Sequence, residues 1–183
     1  MDPTHVVENQ APPLEGYDMV TMDPVLAAGV EREGAGWALG DIVDLGMVMS
    51  SPEVIAEGFA ANQNPPVLHT HDRYGNRSDV VDFHPSWHSL MTRSLAHGLH
   101  SLPWEEPPGE GAYVARVAKT YLVSQIEAGH WCPISMTCSV IPSLRLQANV
   151  ADEWEPLIKS RRYDPSFAPI PKKSGALMGM GMT

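Results

Sequence analysis

Four prolines constrain the chain more than any other feature. Asp23-Pro24, Ser51-Pro52, His84-Pro85 and Cys132-Pro133 each stand directly before an apolar run with helical spacing. Proline suits the first turn of a helix, where its missing N–H has no intrahelical acceptor to lose and its fixed φ already matches the helix. The same missing donor excludes it from central strands. A chain punctuated in this way folds as a series of short helices with sharp starts. Asp23 and Ser51 add side-chain oxygens suited to capping two of those starts.

From Pro24 the apolar or small positions are Val25, Leu26, Gly29 and Val30; after Gly36 they are Leu39, Ile42, Val43, Gly46 and Met47; from Pro52 they are Val54, Ile55, Gly58 and Phe59. Each set follows the i, i+3, i+4, i+7 pattern of an amphipathic helix. Asn64-Pro65-Pro66 ends the third. Residues 67–83 are richer in β-formers around Gly75-Asn76, which predicts a small hairpin. Three longer helices are expected next, over 85–99, 109–129 and 133–148. The second is apolar around most of its circumference and is expected to be central, and the third should kink at Pro142. A short helix is expected over 152–160, then an irregular link over 163–173 rich in proline and charge.

The chain has 183 residues, enough to bury roughly two-thirds of its unfolded surface without disulfides or a metal. Its 12 basic against 22 acidic residues leave a formal charge of −10. Nucleic-acid binders need a cationic stripe to displace counterions, so direct nucleic-acid binding is not expected. No apolar run approaches the about eighteen residues of a membrane span, and "MDPTHVVENQ" has neither the basic region nor the apolar core of a signal peptide. A cytoplasmic protein is the expectation. Cys132 and Cys138, six apart, would lie about 240° apart around one helix and cannot bridge, so both are expected as buried free thiols.

The stretch "GALMGMGMT", residues 175–183, alternates methionine with glycine. Period two puts Met178, Met180 and Met182 on one face of a strand, and glycine between them marks a place where a ligand or another backbone comes close. A strand made for a neighbour is the expectation. These thioethers also match the soft donors that Cu(I) selects, but no further Met or His accompanies them, and methionine is an ordinary gap-filler.

Catalytic constellations are sparse. His84 and His88 stand at ligand spacing without a third ligand, and His69 and His71 share one strand face, so no metal site is expected. Glu105, Glu106, Asp152, Glu153 and Glu155 are expected on solvated surfaces, and Ser135, Thr137 and Ser139 as small residues for close helix packing. Phosphate loops, dinucleotide fingerprints and nucleophile elbows are absent. No catalytic residue is assigned.

Six stretches recur together in order: "REGAGW" (32–37), "NQNPP" (62–66), "HPSWHSLM" (84–91), "CPISMT" (132–137), "RYD" (162–164) and "GMGMT" (179–183). They resemble the N-terminal part of the AidB-type branch of flavin-dependent acyl-CoA dehydrogenases, the branch linked to the adaptive response to alkylation damage. Two positions depart: Asp18-Met19-Val20 stands where the family has Asn-Leu-Tyr, and Ser86 replaces the alanine of HPAWH. The resemblance implies a mostly α fold: an irregular arm over 1–23, a helical domain over 24–160 with its hairpin, and over 161–183 a linker and the first strand of a truncated flavin-binding β-domain. It also implies FAD, with Met180, Gly181, Met182 and Thr183 as its contacts here. The implied reaction is α,β-dehydrogenation of an acyl thioester, with a glutamate base expected beyond residue 183. On that reading the segment supplies a helical wall and one edge of the flavin site and is inactive alone. Its implied partners are the remaining β and C-terminal helical domains or a companion chain, within a homo-oligomer. A DNA-protective fragment or a helical oligomerisation module are the non-enzymatic alternatives.

Overall fold

The structure, a computed structural model, describes residue 4, residues 6–105 and residues 109–181. Among these, the helices are α1 (Pro24–Arg32), α2 (Leu39–Met49), α3 (Pro52–Gln63), α4 (Pro85–Ala96), α5 (Ala112–Ser124), α6 (Trp131–Leu144) and α7 (Ala148–Ile158), with strands β1 (Val67–His71) and β2 (Arg77–Asp82) between α3 and α4. The starts follow from proline and its caps. The Leu26 N–H donates to Asp23 Oδ1 at 2.9 Å, Val54 N–H to Ser51 Oγ at 3.4 Å, and Ser86 N–H to His84 Nδ1 at 3.2 Å. Helix α6 departs from the pattern, since it begins ahead of Pro133, which then sits in its first turn. That placement still spares the proline an intrahelical bond.

The expected ends shift inward for identifiable reasons. Helix α4 stops at Ala96 rather than near 99, because Gly98 takes φ +69°. Leu99 N–H then bonds Ser94 O at 3.2 Å and Gly98 N–H bonds Leu95 O at 2.9 Å, which closes the helix with a left-handed C-terminal turn. Helix α5 covers only the middle of its expected span. Helix α6 ends at Leu144, and the chain turns before re-entering a helix at Ala148, ahead of the expected 152. Pro142 removes the N–H that would reach Cys138 O, and the Trp104 indole N–H fills that carbonyl at 2.7 Å. The freed acceptor is thereby satisfied from across the fold. Cys138 is buried as expected, whereas Cys132 is exposed on the first turn of α6, which corrects the expectation that both free thiols are buried.

Helix α2 packs on α5, α3 on α4 and α6 on α7. Ile42, Leu45, Met49, Leu90, Met91, Leu122 and Ile134 are fully buried where these pairs meet. Each contributes about 1.5–3 kcal/mol against conformational entropy. The expected enclosure of α5 is incomplete, because Tyr113, Val117 and Tyr121 form an exposed stripe along its outer side. The hairpin pairs Val67 with Asp82 and His69 with Val80, and slips register between His69 and His71. Its turn is held by Asp72, whose carboxylate accepts the Tyr74 and Asn76 N–H groups at 2.8 and 2.9 Å.

Residues 175–181 join no strand ladder among the described residues, so the expected terminal strand is an extended segment. Alternation alone does not make a strand: a ladder needs a neighbouring strand to take its N–H and C=O groups in register, and glycine adds entropy to lose.

Candidate functional site

The terminal segment is laid across the helical body by three contacts. Ser174 O accepts from Ser160 Oγ at 2.8 Å, Ala176 N–H donates to Leu157 O at 3.1 Å, and Met178 N–H donates to Thr137 Oγ1 at 2.9 Å. Thr137 is buried within "CPISMT" and its own hydroxyl hydrogen goes to Pro133 O at 2.6 Å. Its oxygen therefore receives one bond and gives one, which fixes where Met178 sits. Gly175 permits the crossing, since a Cβ there would lie 2.3 Å from Arg162 O.

After Met178 the chain leaves the body. Gly179, Met180 and Gly181 are exposed, Met180 at 57 %. Atoms added at Gly179 or Gly181 would meet nothing within 4 Å. Met182 and Thr183 lie outside the described residues. Of the expected flavin contacts, Met180 and Gly181 are thus brought to an open edge, held in direction by the bond two residues back.

The "RYD" stretch anchors the approach to this edge. Asp164 accepts Ser166 N–H at 3.0 Å, Ser166 Oγ at 2.6 Å and Ser174 N–H at 2.9 Å, closing the loop between them, and these bonds hold its carboxyl well below the usual range. Lys173 Nζ donates to Asp164 O at 2.9 Å. Tyr163 O–H lies 2.7 Å from His88 Nδ1, with the two rings stacked at 5.7 Å. Burial, helped by Asp164, pushes the tyrosine up to about 12, and burial also lowers His88, so both are neutral near pH 7. Phe83 stacks on Trp87 at 4.1 Å, and Trp87 meets Tyr163 edge-on. These rings line a cleft of about 530 Å³ between β2, α4 and residues 162–177. The "HPSWH" stretch therefore supplies a helix cap in His84 and two walls of an aromatic corner in Trp87 and His88.

Thr137→Val keeps the shape of the buried side chain but removes both bonds of the hydroxyl. Hydrogen exchange across 175–181 is expected to speed up roughly fivefold, in line with a loss of about 1 kcal/mol, while Thr137→Ser stays near wild type. Mass-spectrometric deuterium uptake on the terminal peptide checks this.

Buried polar groups form networks that sequence spacing did not reveal. Glu127 Oε2 lies 2.6 Å from His130 Nδ1 and accepts His130 N–H at 3.0 Å, its other oxygen accepts the Gly129 N–H, and His130 Nε2 lies 2.9 Å from Ser94 Oγ. Burial would raise Glu127, but the bonds from His130 and Gly129 win and lower it; burial lowers His130 despite Glu127. The state near pH 7 is carboxylate, neutral imidazole and hydroxyl in line, all three buried. Geometrically this resembles a nucleophile relay, but Ser94 and His130 are both buried, and the bonds between them tie the α5–α6 turn to α4. Lys119, also buried, pairs with Asp41 and donates to His97 O at 2.9 Å, joining α2, α5 and the end of α4. The Glu-x-x-His spacing at 127–130 was the available signal for the first network; the partners of Lys119 left none.

Among the described residues no three His, Cys, Asp or Glu side chains converge on a metal position. His69 instead pairs with Asp82 at 2.9 Å. Glu105 is engaged by Arg161 and Ser101, and Glu155 by Arg145 and Lys159, so neither is poised for proton transfer. Glu106 lies outside the described residues. No described helix is long and apolar enough to cross a membrane.

The pattern of the adaptive response protein AidB N-terminal domain matches residues 9–165. The putative acyl-CoA dehydrogenase AidB of Escherichia coli K12 is 43 % identical over 182 residues, covering 98 % of this chain and 34 % of that protein. The chain thus spans about a third of the relative's length. In fold it is similar to the Bd2924 apo-form (TM-score 0.72, 19 % identity, 85 % of this chain and 32 % of that one). It is also similar to Caenorhabditis elegans ACDH-11 in complex with C11-CoA (TM-score 0.68, 22 % identity, 87 % and 29 %). With the family pattern running from the arm before α1 to the "RYD" anchor, the chain belongs to the AidB N-terminal domain family, and its fold is that of an acyl-CoA dehydrogenase's helical front portion.

Proposed function

We propose that this chain is the helical front portion of an acyl-CoA dehydrogenase-like flavoprotein, with residues 24–160 as a wall of the site and residues 161–183 leading onto its flavin edge. The observation that carries the reading is the exposed main chain of Gly179–Gly181, aimed by the Thr137–Met178 bond within a member of this family. Glycines without neighbours at that edge fit a flat ring system approaching the backbone. Met180, Gly181, Met182 and Thr183 would hold the FAD there. FAD, when bound, supplies hydride acceptance in the dehydrogenation of an acyl thioester. This chain's own residues do the positioning: Thr137 fixes the segment, and Asp164 closes the loop that leads to it. A single edge encloses nothing, so the chain is inactive by itself and acts with further domains.

Two measurements test this. The chain mixed with FAD and desalted is expected to elute without a yellow chromophore, and tight retention would overturn the single-edge reading. A chimera carrying this chain in place of the matching third of the Escherichia coli relative is expected to retain FAD, with Gly181→Val weakening it about tenfold or more, the scale of a displaced backbone contact. Unchanged flavin affinity in that variant would remove Gly181 from the site.

A further inference from the structure

Helix α1 is short, closes on Glu31, Arg32 and the capping Glu33, and leaves much of its outer side uncovered. Val25 is 81 % exposed, and across from it on α5 the exposed stripe of Tyr113, Val117 and Tyr121 runs in parallel. Between the two helices lies a groove of about 660 Å³. Gly29 forms a notch in its wall, since a Cβ added there would meet nothing within 4 Å. An exposed apolar strip rimmed by polar groups marks an interaction surface rather than a random surface residue. A slot between two packed helices offers ridges and grooves for a third.

The charged groups that line the groove are both carboxylates: Asp23 at the start of α1 and Glu33 just past its end. They are separated by the length of the helix, about 15 Å at the usual rise. Tyr121 O–H donates to Asp23 at 3.3 Å, and Arg32 meets Glu33 at 2.7 Å from outside the groove in an exposed pair that solvent screens. A second copy seated here would set carboxylate against carboxylate between chains of formal charge −10. An apolar floor with a negative group at each end instead complements a helix with an apolar stripe and a cation near each end of its contact.

We propose that the α1–α5 groove docks a basic amphipathic helix of another polypeptide. Its apolar stripe lies on Val25, Val117 and the tyrosine rings, a side chain fills the notch at Gly29, and lysines or arginines about ten residues apart reach Asp23 and Glu33. This surface is separate from the flavin edge and does not depend on it.

The probe is a fluorescein-labelled 18-residue helical peptide with leucines at i, i+3, i+4 and i+7 and lysines ten apart, followed by fluorescence anisotropy with the intact chain. Saturable binding is expected, weakened about tenfold or more when the lysines become glutamates, as charge complementarity requires. Gly29→Leu fills the notch on a helix whose backbone accepts any residue there, so it folds at least as well and is expected to weaken binding to a similar degree. Three results would overturn the proposal: equal affinity for the glutamate peptide, unchanged affinity in Gly29→Leu, or no binding. So would self-association in sedimentation that Gly29→Leu abolishes, which would assign the groove to a second copy.

Discussion

Glu127→Ala is expected to lower the folding stability by about 3–5 kcal/mol, the cost of stripping one partner from a buried charged network. The alanine leaves the His130 ring N–H and backbone N–H without an acceptor in a buried site, and takes the partner of the Gly129 N–H on the exposed turn beside it. Each orphaned donor carries its own desolvation penalty, which is why the loss exceeds that of one ordinary bond. Because domains of this size hold only about 5–15 kcal/mol in total, much of the population should unfold under mild denaturant. Glu127→Gln keeps one acceptor oxygen and should lose less. Ser94→Ala removes a neutral hydroxyl at the far end of the chain of bonds and should lose about 1 kcal/mol. Urea midpoints at constant m-value give the order. If Glu127→Ala falls no further than Ser94→Ala, the network does not anchor the α5–α6 turn.

That network shows where the sequence stopped being legible. Helix starts were readable because proline and its caps act within four residues: Asp23, Ser51 and His84 all bond to N–H groups of their own first turns. Ends were less readable: Gly98 closes α4 early through its positive φ, and Pro142 frees a carbonyl whose partner, the indole of Trp104, lies elsewhere in the chain. Of the buried chemistry only the Glu127–His130 spacing was local enough to read. Ser94 meets His130 across 36 residues and Lys119 meets Asp41 across 78, and no local spacing announces either. The terminal alternation of methionine and glycine was legible as an exposed, approachable edge, but period two describes only which way side chains point. Whether the segment pairs depends on a neighbour, and among the described residues the main chain of 175–181 is held by its bonds to Leu157 and Thr137. The family stretches were legible as a set before their reasons were: "REGAGW" because the Trp37 indole N–H reaches Glu110 O at 2.6 Å, "RYD" because Asp164 closes a loop, "CPISMT" because Thr137 holds Met178.

Acid should weaken the fold well before most carboxylates titrate, and His100 is the reason. Its Nε2–H donates to Ser160 O at 3.0 Å, while Nδ1 is buried without a hydrogen-bond partner among the described residues. Burial is the largest cause lowering its pKa, to about 4, with Arg161 and Arg116 acting in the same direction and Ser160 and Glu105 opposing. The unfolded imidazole takes its proton near pH 6.5, so between there and 4 the unfolded chain binds one proton more than the folded one. Stability from this group is therefore complete above 6.5 and declines as the pH falls, by about 1.4 kcal/mol per unit and about 3 kcal/mol across the interval. His130, lowered for the same reason, adds to the decline, whereas Glu127 and Asp41, both lowered, begin to add theirs only as the pH falls through the ordinary carboxylate values of 4.5 and 3.8. His100→Gln retains an amide donor for Ser160 but has nothing to titrate. Its urea midpoint is expected to fall much less steeply between pH 6.5 and 4 than that of the parent, even if it starts lower at pH 7. Parallel slopes for the two proteins would mean that His100 takes up its proton in the folded state at no cost.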